Sequence, residues 1–177
     1  MPATVLARNI SNALKSNVKK GTESGIMNQT IATEITKYLK DNVKVQVSYA
    51  GVVGDSPEAG VDALPITGEV SPSIVTDAVS WLNILGHNIA TGFQTLPGPV
   101  VKPQGTHISL KVPSDTLHDF VPMGQRKNVH STNDPCYEFW LQVSQGIFKM
   151  ISTQVSDSFP AGIAGSGVAT VTKLIIT

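Results

Sequence analysis

A single cysteine, Cys136, in a chain of 177 residues excludes an internal disulfide and any metal site built from several thiolates. The fold must then rest on its own core, and a chain of this length buries about 70% of the surface its unfolded form exposes. Charge is also scarce. Lys plus Arg and Asp plus Glu number 13 each, the formal net charge is zero, and charged residues make up 15% of the chain, against about 25% in an average globular protein. Phosphate binding needs a cationic surface, so nucleic acid is not an expected partner. Long apolar runs are missing as well: none reaches the roughly 18 residues of a membrane span, and Met1 to Asn9 lacks a basic start followed by an apolar core. The expectation is a cytoplasmic protein with no membrane partner. What remains is a neutral surface of Ser, Thr, Asn, Gln and Gly, which does little to keep copies apart and favours a homo-oligomer.

Hydrophobic periodicity divides the chain into alternating helices and strands within one expected domain, 1–177. Val5, Leu6, Ile10, Leu14 and Val18 recur at helical spacing until Lys19-Lys20-Gly21, predicting a helix over about 3–20. Ile31, Ile35, Tyr38 and Leu39 repeat the pattern behind Asn28, a suitable cap, giving a second helix to about Asp41. Val43, Val45, Val47 and Tyr49 alternate with polar or small residues, which marks a strand with one wet face, the grammar of antiparallel sheets. Gly51, Gly54, Pro57, Gly60, Pro65 and Gly68 then predict a long loop over about 51–70, with room for a short strand near Leu64 to Val70.

Ser71-Pro72 reads as a cap and first helical position for a helix carrying Ile74, Ala78, Trp81, Leu82, Leu85 and Ile89 to about Gly92. Ile108, Leu110 and Val112 predict a further strand, and residues 113–134 a second long loop. Asp134-Pro135 repeats the cap and proline, and Tyr137, Trp140, Leu141, Ser144, Phe148, Ile151 and Val155 trace the stripe of a last helix over 136–157. Pro160 and a glycine-rich turn lead to a β-branched strand that runs to Thr177, which predicts closure of the chain's own sheet first and an interface second. The fold class expected is α+β in two layers, with helices packed on one face of a mainly antiparallel sheet of about four strands.

Chemistry is thinly represented. His87, His107, His118 and His130, with Asp115, Asp119, Asp134 and Cys136, form the one group worth weighing, and a loop carrying His118, His130 and Cys136 could in principle surround a zinc ion. Their spacing matches no metal signature, and solvated or interfacial side chains are the simpler reading. A thiolate at Cys136, near the start of a helix, would need a histidine within reach; a half-buried structural cysteine is simpler. Gly162-Ile163-Ala164-Gly165-Ser166-Gly167 has neither the spacing of a nucleophile elbow nor the Lys of a phosphate loop, and reads as a turn or hinge. Asp115 and Asp119 lack an apolar frame to raise a pKa, Arg126-Lys127 reads as a solvated loop, and Trp81 and Trp140 as core. The sequons at Asn9 and Asn28 carry little weight without an export signal. No catalytic, metal or cofactor site is expected.

A neutral α+β chain with long loops and a terminal strand such as Gly167-Val168-Ala169-Thr170-Val171-Thr172 resembles tail-associated structural proteins of phages and prophages in its general organisation. The resemblance implies a non-enzymatic building block, cytoplasmic or virion-borne, that forms a ring or joins other structural proteins through loops and strand addition. The physical expectation agrees: edge strands offer unpaired backbone groups whatever their side chains. Two alternatives stand beside it. One is a small-ligand or peptide-binding module using the loops, for which a deep apolar pocket would speak. The other is a hydrolase using the 113–136 loop.

Overall fold

The computed structural model describes residues 2–17, 24–53, 56–73, 78–93, 95–96, 108–109, 117–121, 135–154, 158–160 and 165–177. In chain order these form α1 (Pro2–Asn17), α2 (Ser24–Asn42), β1 (Val43–Val53), β2 (Ser56–Pro65), α3 (Ala78–Phe93) and β3 (Thr95–Leu96). They continue with β4 (Ile108–Ser109), α4 (Leu117–Phe120), α5 (Pro135–Gln154), β5 (Ser158–Pro160) and β6 (Gly165–Ile176).

Proline opens α1 where a missing N–H costs nothing, and Lys15 sits in its last turn, beside the carbonyl end of the helix dipole. Leu6, Ala7, Ile10 and Ser11 form its buried face. α2 begins four residues before the expected cap, so Asn28 lies inside the helix, buried, and not at its start. Ile31, Ala32, Ile35, Tyr38 and Leu39 are its core face. Burial pushes the Tyr38 phenol above its ordinary pKa.

β1 follows α2 with no connecting loop. Val43 and Val45 are buried and Lys44 between them is exposed, as the alternation predicts, while the side chains of Val47 and Tyr49 lie outside the described residues. The expected loop over 51–70 is corrected: β1 runs on to Val53, and β2 pairs antiparallel with it from Lys44↔Pro65 to Val53↔Ser56. Gly51, Pro57, Gly60 and Pro65 are therefore strand residues. Among the described residues of this stretch, Ile66 to Ser73 lack regular structure, and Ile66, Val70 and Ser73 within them are buried. This strap is tied to α2, where the Val70 N–H donates to Thr36 Oγ1 at 3.0 Å, and to α3, where Asn88 Nδ2 donates to the Ser71 carbonyl at 3.0 Å. The helix expected to start at Pro72 is corrected accordingly, because residues 71–73 are not helical.

β6 pairs antiparallel along the other side of β1, from Val43↔Ile176 to Val53↔Gly165. A bulge opposite Gln46 and Val47 leaves Thr172 without a β1 partner in the register, and its hydroxyl donates to the Gln46 carbonyl at 3.2 Å. β5 pairs with Val168 to Thr170, giving one antiparallel sheet in the order β2-β1-β6-β5. The C-terminal strand is thus an inner strand of its own sheet, fastened at its end by the Thr177 N–H to the Asn42 carbonyl at 2.9 Å. Gly165 to Gly167, expected in a turn, lie opposite Val53 to Gly51 within the ladder.

α5 is the main core helix, as its stripe predicts, but the buried face is turned by about one residue. Val143, Ile147 and Met150 are fully buried alongside Ser144 and Ile151, while Tyr137, Leu141 and Phe148 are half-buried. The reason is a partner on each side: α1 packs along one flank and α4 on another. α4 is a helical turn within the 113–134 stretch expected as loop, and its Leu117 is completely buried between α3 and α5. β3 and β4 form a separate two-stranded antiparallel pair; the rest of the strand expected to Val112 lies outside the described residues. The architecture is α+β, with helices on one face of a four-stranded antiparallel sheet.

Candidate functional site

The residues with chemical potential do not converge. His118 Nε2 lies 2.9 Å from Asp119 Oδ1 on α4, and both groups are substantially exposed. His118 Nδ1, in contrast, is buried with no hydrogen-bond partner. His87 is exposed on α3. His107, His130, Asp115, Asp134 and Arg126-Lys127 lie outside the described residues, as does the side chain of Cys136, whose backbone is in the first turn of α5. Among the described residues no group of three or more His, Cys, Asp or Glu could hold a metal ion.

The tryptophans are structural. Trp140 is buried, and its ring meets that of Trp81 edge-on at 5.9 Å and that of Phe139 at 5.0 Å. The Trp81 indole N–H donates to Asn28 Oδ1 at 3.2 Å. Asn28, read from sequence as a cap and as part of a sequon, is instead the buried acceptor for this indole, which leaves its amide inaccessible to modification.

The feature that sequence reasoning missed is the far side of the sheet. Side chains alternate across a strand, so Gln46, Ser48 and Ala50 of β1 lie on the face opposite the buried Val43 and Val45. On β2 the same face carries Ala63, Val61 and Ala59, each directly across from one of them. Ala50, Ala59 and Ala63 are exposed, and Val61 is 57% exposed, the largest value among the exposed large hydrophobic residues. Lys44 and Lys173 stand exposed toward the end of this face where the helices attach. Between Lys44 and the hairpin end, the described side chains of β1 and β2 on the face are uncharged.

β2 is also the outermost strand of the sheet, ten residues long, or roughly 33 Å at about 3.3 Å per residue. Among the described residues nothing pairs with its outer backbone groups, although Pro57 and Pro65 near its two ends and Glu58 and Asp62 along it are residue types that limit edge pairing. A patch of alanine, serine, glutamine and valine beside a sheet edge can accept another sheet.

Among the described residues the surface hollows are open ones. One of about 420 Å³ lies between the start of α1, α5 and the end of β6, bordered by Ala3, Phe148, Lys149 and Ile176. None of the described hollows is the deep apolar pocket expected of a ligand-binding module. Among the described residues no helix is long and apolar enough to cross a membrane. No family model, curated protein or solved structure matches the chain.

Proposed function

We propose that this chain is a non-enzymatic structural protein that self-assembles through the uncovered face and outer edge of its sheet. The observation that carries the reading is the one-sided sheet itself: helices cover Val43, Val45 and Leu64, while Ala50, Ala59, Val61 and Ala63 on the other face are exposed. A monomeric protein gains by placing charge on such a face, and the described side chains of the β1–β2 half beyond Lys44, namely Gln46, Ser48, Ala50, Ala59, Val61 and Ala63, carry none. The neutral net charge removes the repulsion that would oppose stacking. Its partners on this reading are further copies or other structural proteins, as in phage and prophage tail-associated assemblies, in the cytoplasm or the virion.

Light scattering on the full chain over a range of concentrations tests the proposal. A defined multimer is expected; a monomer at every concentration contradicts it.

A further inference from the structure

We infer that β2 pairs edge to edge with β2 of a second copy, antiparallel about a two-fold axis at Val61, so that two sheets run on as one. The inference rests on the self-assembly proposed above and names its joint. The direction of the β2 backbone groups follows from the rest of the sheet. The Asn42 carbonyl accepts from the Thr177 N–H at 2.9 Å and the Gln46 carbonyl from the Thr172 hydroxyl at 3.2 Å, so both carbonyls turn toward β6. Direction alternates along a strand, which turns the backbone groups of Val43 and Val45 toward β2. With Val45 opposite Leu64, the β2 residues bonded to β1 are Leu64, Asp62, Gly60 and Glu58, and the N–H and carbonyl groups of Ala59, Val61 and Ala63 face outward. Pro57 and Pro65 fall in the same outward set, where a missing N–H costs the β1 ladder nothing.

The two prolines single out the register. They stand four residues to either side of Val61, so an antiparallel pair centred there sets Pro57 against Pro65 of the second copy at both ends and strands no donor. Between these ends Ala59 meets Ala63, Val61 meets Val61 and Ala63 meets Ala59, each pair exchanging both of its N–H···O bonds. Acidic residues stay apart in this register, where Asp62 meets Gly60 and Glu58 meets Leu64. Moving the centre to Gly60 sets Glu58 against Asp62, and moving it to Asp62 sets that residue against its own copy. Like charges directly opposite destabilise a ladder, and either shift also leaves a proline across from an alanine. Residue types that limit edge pairing in general thus favour this register over its neighbours. A two-fold axis at right angles to the sheet keeps both uncovered faces on one side, with the exposed Val61 of each copy adjacent across the joint.

Cysteine cross-linking of the full chain in a Cys136→Ser background tests the register. Opposed Cα atoms in such pairs lie about 5.5 Å apart, within the span of a disulfide. Under mild oxidation a mixture of Ala59→Cys and Ala63→Cys chains is expected to give a disulfide-linked dimer, as is Val61→Cys alone. Neither Ala59→Cys alone nor Ala63→Cys alone should do so, because their thiols would stand roughly 13 Å apart along the strands. These sites are exposed, so the substitutions leave the fold intact. Adding Ala63→Pro to the Val61→Cys chain removes an outward N–H from the joint and none from the β1 ladder, and is expected to abolish the cross-link in a chain that circular dichroism shows to be folded. A multimer by light scattering without this cross-linking pattern, or a cross-link undiminished by Ala63→Pro, overturns the joint and leaves self-assembly standing; a monomer overturns both.

Discussion

Gly68 and Gly92 meet backbone against backbone where the strap crosses the end of α3. A Cβ on Gly68 would overlap the Gly92 carbonyl, and one on Gly92 would come within 2.7 Å of the Glu69 carbonyl oxygen. The obstacles are main chain on both sides, so neither can swing aside as a flexible side chain would. Gly68→Ala is therefore expected to cost ~3 kcal/mol, the upper part of the usual range for overpacking. Thermal unfolding should register this as a loss of about 6–12 °C. Gly25→Ala is the control: a Cβ there meets nothing within 4 Å, and the gain in helix propensity should stabilise by at most ~1 kcal/mol.

Leu117 is held in the same manner between two helices. A Cβ on Gly86 of α3 would approach Leu117 Cβ to 2.7 Å, and one on Gly146 of α5 would lie 2.7 Å from Val121 Cγ2 and 3.4 Å from Leu117 Cδ1. Both glycines are the sockets for α4. Leu117→Ala should cost ~2–5 kcal/mol in denaturant unfolding, because the gap it leaves is walled by helices that cannot collapse onto it.

The Asn28 side-chain oxygen Oδ1 is the acceptor of the Trp81 indole N–H. Asn28→Ala leaves that donor partly buried and unpaired, which should destabilise the fold by about 1–3 kcal/mol. Chemical denaturation checks the prediction, and an unchanged midpoint would show that water satisfies the indole.

Tyr38 supplies a pH dependence. Its hydroxyl donates to the Thr177 carbonyl oxygen at 3.5 Å, and burial raises its pKa. An ionised phenolate is thus tolerated in the unfolded chain before it is tolerated in the folded one. Stability associated with Tyr38 is fully present below the unfolded pKa near 10 and is lost as pH rises through the higher folded value. Tyr38→Phe should flatten this alkaline loss at a neutral-pH cost of about 0.5–1.5 kcal/mol, and denaturant unfolding between pH 8 and 11 reads both effects.

The core elements are legible in the sequence because burial imposes a period. Val43 and Val45, the α5 stripe and the C-terminal strand each carry apolar residues where packing needs them. β2 is not legible, and the cause is physical. Ser56-Pro57-Glu58-Ala59-Gly60-Val61-Asp62-Ala63 is held by its ladder to β1, and its described side chains Ala59, Val61 and Ala63 are exposed, so burial forces no apolar alternation upon them. Its glycines and prolines then read as loop. Asn28 and Ser71-Pro72 mislead differently: the residue types suit helix starts, yet Asn28 serves a distant indole and the backbone around Ser71 is tied to Asn88. The exposed face stayed hidden for the reason that β2 did, since it exists only once β1 and β2 are paired in register.

On the proposed reading copies meet through the uncovered sheet face, where Val61 is the most exposed of the described large apolar residues. Replacing an exposed residue should alter stability by no more than about 0.5 kcal/mol, so Val61→Lys separates assembly from folding. Light scattering of the wild-type chain and Val61→Lys at matched concentration is the direct test. The wild-type chain is expected as a multimer and Val61→Lys as a folded monomer that melts at or below the wild-type temperature, since the stabilisation by association goes with the contacts; a variant that retains the wild-type mass would rule out this interface.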